Sequence, residues 1–269
     1  MSTKKFLGAT FFRGHIISPE RIVMCLVGIF FVALSVGMIR FAGFGNDPYS
    51  AMMVGAWHLA KKLKPDIPLG TVFLMINMAV AITIFFVHKQ FIGIGTLVNM
   101  FLLGYIADFF FEEFGVYIPD PEIPVRIVFL ILGLVFEALG ISFCLEADQG
   151  VSPYDGISLM IFKYHPKWKF RWLRVALDVS YVILGAVFFA ISTIIGQNAF
   201  DPAQWSQFGG VVGFGSVFIA LCLGPVLIVF RTRIANPLAM HRFRKAAKNR
   251  QKKEKDANTS ATSEPSSRE

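Results

Sequence analysis

The sequence predicts an all-α fold: a polytopic transmembrane helical bundle of two sequence-related halves, each with four apolar segments of which one is short. Three observations predict it. Mean hydropathy is +0.58, and 55% of the 269 residues are hydrophobic while only 16% are charged. A soluble domain carries about 25% charged residues to cover its core, so this chain must meet lipid. Six apolar runs are long enough to cross a bilayer, and the chain resembles itself at an offset of 105 positions.

Taken in order, residues 1–21 carry Lys4, Lys5, Arg13 and Arg21 and lack a small-residue cleavage site after a short apolar core. They read as a cytoplasmic N-terminal segment rather than a removable signal peptide. The long runs are 22–39, 69–87, 91–111, 125–145, 172–195 and 208–230. A hydrocarbon core of about 30 Å needs about 20 helical residues, which these supply. Two stretches, 48–60 and 153–164, are short for a crossing unless the loop before each also dips into the membrane.

These two short stretches are related. The offset pairs Gly28 with Gly133, Phe31 with Phe136, Ala33 with Ala138, Leu34 with Leu139, Ala42 with Ala147, Gly45 with Gly150, Pro48 with Pro153 and Tyr49 with Tyr154, without a gap. Further on, with the offset shifted by insertions in loops, Asn77 falls opposite Asp178, and Gly93-x-Gly95-Thr96 opposite Gly213-x-Gly215-Ser216. The expected organisation is a first membrane repeat over 22–111, an acidic, proline-bearing connector over 112–124, a second repeat over 125–230 and a basic, largely disordered cytoplasmic tail over 231–269. If the short segments cross, each half has four crossings and the repeats are parallel; if they are broken or re-entrant, three crossings make them inverted. Lys/Arg placement favours eight crossings, with Lys61, Lys62, Lys64, Arg126, Lys163, Lys167, Lys169, Arg171 and Arg174 inside. Either count leaves both chain ends in the cytoplasm.

The net charge of +8 is mostly one tail: from Arg231 onward lie eleven Lys/Arg and four Asp/Glu. A basic run after an apolar segment reads as retention and attraction to anionic lipid headgroups, not as a nucleic-acid arm. Cys25, Cys144 and Cys222 are far apart in apolar runs and read as core packing, neither disulfides nor metal ligands. No cofactor is expected.

The duplicated turns, Gly45-Asn46-Asp47-Pro48-Tyr49-Ser50 and Gly150-Val151-Ser152-Pro153-Tyr154-Asp155, carry the strongest local signal. Glycine permits positive φ, Asp47 or Ser152 accepts from the first free N–H groups, and proline suits a first helical turn. Each therefore starts a short helix, and a helix start inside a membrane aims partial positive charge into the protein. Capping without a ligand is the alternative. Glu137, Asp178, Asn77 and Asn99 interrupt long apolar runs. A carboxylate in hydrocarbon costs about 2.5–3.5 kcal/mol, so it should face the interior and needs a partner. Asp178 has Arg174 four residues earlier on its own helical face. Glu137 has no local partner; it reads either as a proton-handling group or as a Glu satisfied by serines or backbone. Asp108, Glu146, Asp148 and Asp155 sit near segment ends, where capping explains most charges. Trp57, Trp168, Trp172 and Trp205 fit an interfacial aromatic belt, and the Gly-x-Gly elements fit close packing. No His-Glu-x-x-His, Gly-x-Ser-x-Gly or aspartyl pair is present, so an enzyme is not expected.

From Glu146 to Asp155 the sequence resembles the bacterial YczE/YitT-like membrane proteins, whose halves carry a similar Gly-Val-Ser-Pro-aromatic-Asp turn and a later Gly-Thr segment, here Gly95-Thr96. The first turn departs at Asn46 and Asp47. The resemblance implies a multi-pass protein of the bacterial cytoplasmic (inner) membrane and carries over no substrate or catalytic residue. The expected function is secondary transport of a small solute. Its site would lie between the halves at Tyr49, Ser50, Asn77, Ser152, Tyr154, Asp155 and Asp178, with Glu137 and Asp178 handling protons. The alternative is a non-transporting scaffold or regulator of a partner complex.

Overall fold

The structure, a computed structural model, describes residues 19–88, 92–165, 167–195 and 210–239. The expectations for residues 1–18, for Lys89, for Trp205 and for the basic and Ser/Thr-rich tail past Ala239 fall outside these. The described residues form eight helices with no strand: α1 (Pro19–Ala42), α2 (Pro48–Leu63), α3 (Leu69–His88), α4 (Ile94–Tyr117), α5 (Ile123–Ala147), α6 (Pro153–Tyr164), α7 (Phe170–Ile195) and α8 (Phe214–Phe230). After α8 the chain continues through one π-helical turn, Arg231–Ala235, to Ala239. Six of these helices, all but α2 and α6, are long and apolar enough to cross a membrane.

Two boundaries differ from expectation. Helix α4 runs on through Glu112 and Glu113 to Tyr117, so the acidic connector shrinks to residues 118–122; glutamates are good helix formers and do not stop a helix. The tail does not begin at Arg231. That side chain is 2% exposed and donates from Nε to Glu146 Oε1 at 2.7 Å, a buried pair that holds the last turns against α5.

Helices α1 and α5 form the centre, with 56% of each span buried, against 17% for α3 and α4. They pack antiparallel. Arg21 Nη1 donates to the Ala147 carbonyl at 3.2 Å, Cys144 Sγ lies 3.7 Å from the Cys25 carbonyl, and Arg126 Nε donates to the Ala42 carbonyl at 2.6 Å. Between these ends Gly28 meets Gly140, where a Cβ on Gly28 would come within 2.8 Å of the Gly140 oxygen. Small residues bring two backbones together where lipid gives no hydrophobic drive. Phe31 and Phe136 stack beside that contact at 5.6 Å. The outer helices leave Phe86, Tyr105 and Val116 exposed, as a lipid-facing surface requires.

The remaining directions follow from contacts. Helix α4 runs parallel to α1: a Cβ on Gly95 would meet Cys25 Sγ, one on Gly37 would meet Phe110, and Arg40 pairs with Asp108. Helix α8 runs parallel to α5, with Gly215 beside Leu130, Ser142 Oγ 3.3 Å from the Leu227 carbonyl, and Arg231 on Glu146. Helix α7 opposes α8, with Gly224 against Arg171 and Val175. Helix α2 follows α7, with Tyr49 beside Tyr181, Gly55 against Gly185 and His58 on Phe189. Thus α2 points back toward the face at which α1 ends.

The described helices include six long enough to cross rather than the eight expected, and their directions fit six. Antiparallel neighbours α1 and α5 require an even number of crossings between them, which α3 and α4 supply and a third, α2, would spoil. The Lys/Arg argument erred partly at Arg174, counted as a loop charge; it is 1% exposed and bound to interior carboxylates.

Candidate functional site

Each short helix is built by its own turn. Gly45 and Gly150 adopt φ of +105° and +99°, a region that favours glycine. Asp47 Oδ1 accepts from the Ser50 N–H at 3.0 Å, and Ser152 Oγ accepts from the Asp155 N–H at 3.1 Å while donating to Asp155 Oδ2 at 2.7 Å. Asp and Ser exchange places between the two turns, and either caps a helix. The Gly-x-Gly elements dock crosswise on these turns. The Gly215 N–H donates to the Phe44 carbonyl at 2.8 Å, and the Gly95 N–H to the Gln149 carbonyl at 2.7 Å. Asn46 Nδ2 donates to the Gly210 carbonyl at 2.8 Å, and Thr96 Oγ1 to the Val151 carbonyl at 2.7 Å. The first turn is thereby held by α8 and the second by α4.

The starts of α2 and α6 meet inside the bundle. The rings of Tyr49 and Tyr154 stack with centroids 4.9 Å apart, and Tyr181 of α7 lies 5.7 and 5.3 Å from them. Tyr49 donates its hydroxyl to Asn77 Oδ1 at 2.9 Å, while Asn77 Nδ2 donates to the Phe73 carbonyl at 2.9 Å. Tyr154 donates to Asp178. Arg174 Nη1 pairs with Asp155, its Nε lies 3.4 Å from Asp178 Oδ1, and its Cζ sits 4.0 Å over the Tyr154 ring. Arg174 and Asp178 are 1% and 0% exposed. A charge set so deep is tolerated only when paired and hydrogen-bonded.

The pairing is incomplete. Glu137 Oε2, Asp47 Oδ2, Asp178 Oδ2 and Arg174 Nη2 are buried without a hydrogen-bond partner. Glu137, on the central α5, is within electrostatic range of Asp47, Asp178, Arg174 and Asp155. The structure thus brings Tyr49, Ser50, Asn77, Ser152, Tyr154, Asp155 and Asp178 around one centre, with Glu137 buried within electrostatic range of it. Helix starts, caps and the Arg174–Asp178 neighbourhood follow the sequence pattern. Asp155 does not merely cap its helix; it takes the Arg174 ion pair as well. Glu137 is not satisfied at Oε2 by serine or backbone.

Sequence reasoning missed Tyr181, the Arg174–Asp155 pair and the two arginine clasps, Arg21 on Ala147 and Arg126 on Ala42. The clasps had a signal: Arg21 and Arg126 are themselves 105 positions apart, as are Ala42 and Ala147. Asn99 takes no part in the contacts of the centre. Trp168 and Trp172 are 55% and 58% exposed, as interfacial residues are. The three cysteines are free thiols.

Long apolar helices around a buried ionic centre define a multi-pass α-helical membrane protein. The chain belongs to a family of unknown function, DUF6198, whose model matches residues 19–232. It is 25% identical over 215 residues to an uncharacterized protein of Haemophilus influenzae, covering 78% of this chain and 84% of that one. It is also 25% identical over 137 residues to the uncharacterized membrane protein YczE of Bacillus subtilis, covering 50% of this chain and 51% of that protein. The likeness to YczE-type proteins expected from residues 146–155 is upheld. No solved structure matches the chain.

Proposed function

We propose that the protein is a secondary transporter of a small solute, built from two halves of inverted topology with six crossings and two re-entrant helices, α2 and α6. The observation that carries the reading is the buried, incompletely paired charge set at the meeting point of two broken helix starts. A protein that only anchors or scaffolds gains nothing from an arrangement so costly in hydrocarbon. Discontinuous helices meeting between repeats are the usual place for a carrier's site. The reciprocity of the contacts supports the two halves: Arg21 on Ala147 mirrors Arg126 on Ala42, and Gly95 on Gln149 mirrors Gly215 on Phe44.

In this reading the clasps are alternating closures. Opening one face releases Arg21 from Ala147 and Asp148 together with Arg231 from Glu146; opening the other releases Arg126 from Ala42 and Gly43. In this reading the face where α1 begins and the last described helix ends is cytoplasmic, because Lys163, Lys167, Lys169 and Arg171 gather there. Glu137 and Asp178 take up and release protons as the centre opens to either face. The test is uptake into proteoliposomes across a panel of cationic, neutral and anionic solutes, comparing wild type with Glu137→Gln and Asp178→Asn. Solute-dependent flux lowered by both substitutions is expected. Absence of flux for every solute would favour a membrane scaffold acting through a partner complex.

A further inference from the structure

We propose that the centre binds a small nitrogen cation bearing N–H donors, a guanidinium or alkylammonium solute, in exchange for a proton carried by Glu137. This rests on the carrier reading and names its substrate class.

The argument begins with charge. Asp47, Glu137, Asp155 and Asp178 are each 5% exposed or less, and the cation among them is Arg174. The starts of α2 and α6 add about half a positive charge each. With every carboxylate ionised, the centre then holds about two negative charges in excess, which a low-dielectric interior does not tolerate. Two protons, or one proton and a bound cation, must supply the difference.

The free atoms say which kind of partner fits. Glu137 Oε2, Asp47 Oδ2 and Asp178 Oδ2 are buried acceptors without donors, so three N–H groups would complete them. Neither helix start is available to draw in an anion, and Arg174, whose Nε and Nη2 lack hydrogen-bond partners, stands as one cation among four carboxylates. The chain's own Asp47 and the Ser152–Asp155 pair occupy the helix starts. Arg174 is shared between Asp155 and Asp178. The rings of Tyr49, Tyr154 and Tyr181 gather at the same place, where the Tyr154 face already holds a guanidinium, that of Arg174, at 4.0 Å. Among the described residues no His, Cys, Asp and Glu side chains group as a metal-ligand set, which favours an organic cation over a metal ion.

Exchange balances simply. As the solute enters, protonated Glu137 gives its proton to water at the open face, and the carboxylate accepts a solute N–H. As the solute leaves on the other side, Glu137 takes a proton back. One cation moves against one proton, and the cycle is electroneutral.

The probe is methylguanidinium, which stays charged at neutral pH and does not cross lipid as a free base. Full-length protein is reconstituted into liposomes with an acidic lumen containing a pH-sensitive dye. Adding methylguanidinium outside should alkalinise the lumen. With Glu137→Gln the rate should fall by about tenfold or more, the size of effect expected when a charge-assisted contact is lost. Proton movement driven by neutral or anionic solutes, by sodium or by potassium, with none driven by methylguanidinium, would overturn this proposal and leave the carrier reading standing. Should no solute move at all, the carrier reading falls, and the melting temperature of the purified protein decides the site separately. A rise with methylguanidinium in wild type that is absent in Asp178→Asn supports it; no rise in wild type overturns it. Melting without ligand checks that the variants fold, and Glu137→Asp replaces Glu137→Gln if the latter does not.

Discussion

Tyr49 and Tyr154 stand 105 positions apart, yet their rings stack 4.9 Å from one another, each in the first turn of a short helix. Their hydroxyls diverge, Tyr49 to Asn77 and Tyr154 to Asp178. Asn77 and Asp178 are themselves the counterparts expected from the sequence. The difference between amide and carboxylate, with Arg174 added beside the second, makes the Tyr49 hydrogen bond neutral and the Tyr154 hydrogen bond ionic.

Placing a methyl group on Gly45 or Gly150 should prevent folding. Each residue has positive φ, and a Cβ would strike Gly213 and Ser216 in the first case and Gly93 and Thr96 in the second. Strain at such a φ costs about 1–3 kcal/mol and the forced displacement a similar amount. Gly45→Ala and Gly150→Ala should each give little monodisperse protein by size-exclusion chromatography in detergent. Gly104→Ala, where a Cβ meets nothing within 4 Å, should behave as wild type.

Much of this was legible in the sequence because it rests on local rules. Proline behind Asp or Ser, glycine before them and long apolar runs gave helix starts, caps and six long spans. The parity of the crossings was not legible, since it depends on which way α1 and α5 lie against each other, and no local pattern carries that. Arg174 misled for the same reason. Near the start of an apolar run it reads as an interfacial charge, and only tertiary contact with Asp155 on α6 turns it into an interior one.

The buried pair of Glu146 and Arg231 should matter for stability. Their side chains are 3% and 2% exposed; removing one partner of such a pair costs about 3–5 kcal/mol because the other charge is left buried. Glu146→Gln and Arg231→Gln should each lower the melting temperature clearly. The double replacement should cost less than the two single losses added together, as a double-mutant cycle would read.

The proposed topology of six crossings predicts residues 61–64 outside the cell and residues 163–171 inside. In a background with Cys25, Cys144 and Cys222 replaced by alanine, Lys62→Cys should react with a membrane-impermeant maleimide on intact cells. Lys167→Cys should react only after permeabilisation. The reverse pattern at position 62 would restore eight crossings and parallel halves.

The Tyr49–Asn77 bond is neutral and half-buried, so its loss should be modest. Asn77→Leu should reduce thermal stability by about 1 kcal/mol, the net value of an ordinary hydrogen bond. Asp178→Leu should be considerably worse, because it leaves Arg174 with Asp155 alone and the Tyr154 hydroxyl without its acceptor in the interior. Parallel melting curves of the two variants check the ranking.

The claim that the centre opens to each face in turn is tested most directly by a cysteine placed in it. Ser50 is 8% exposed in the structure and lies in the first turn of α2. In the cysteine-free background, Ser50→Cys is treated with a small charged thiosulfonate, once on right-side-out and once on inside-out membrane vesicles. A carrier predicts modification from both sides, slowed by substrate; modification from neither side would contradict alternating access and leave a closed scaffold.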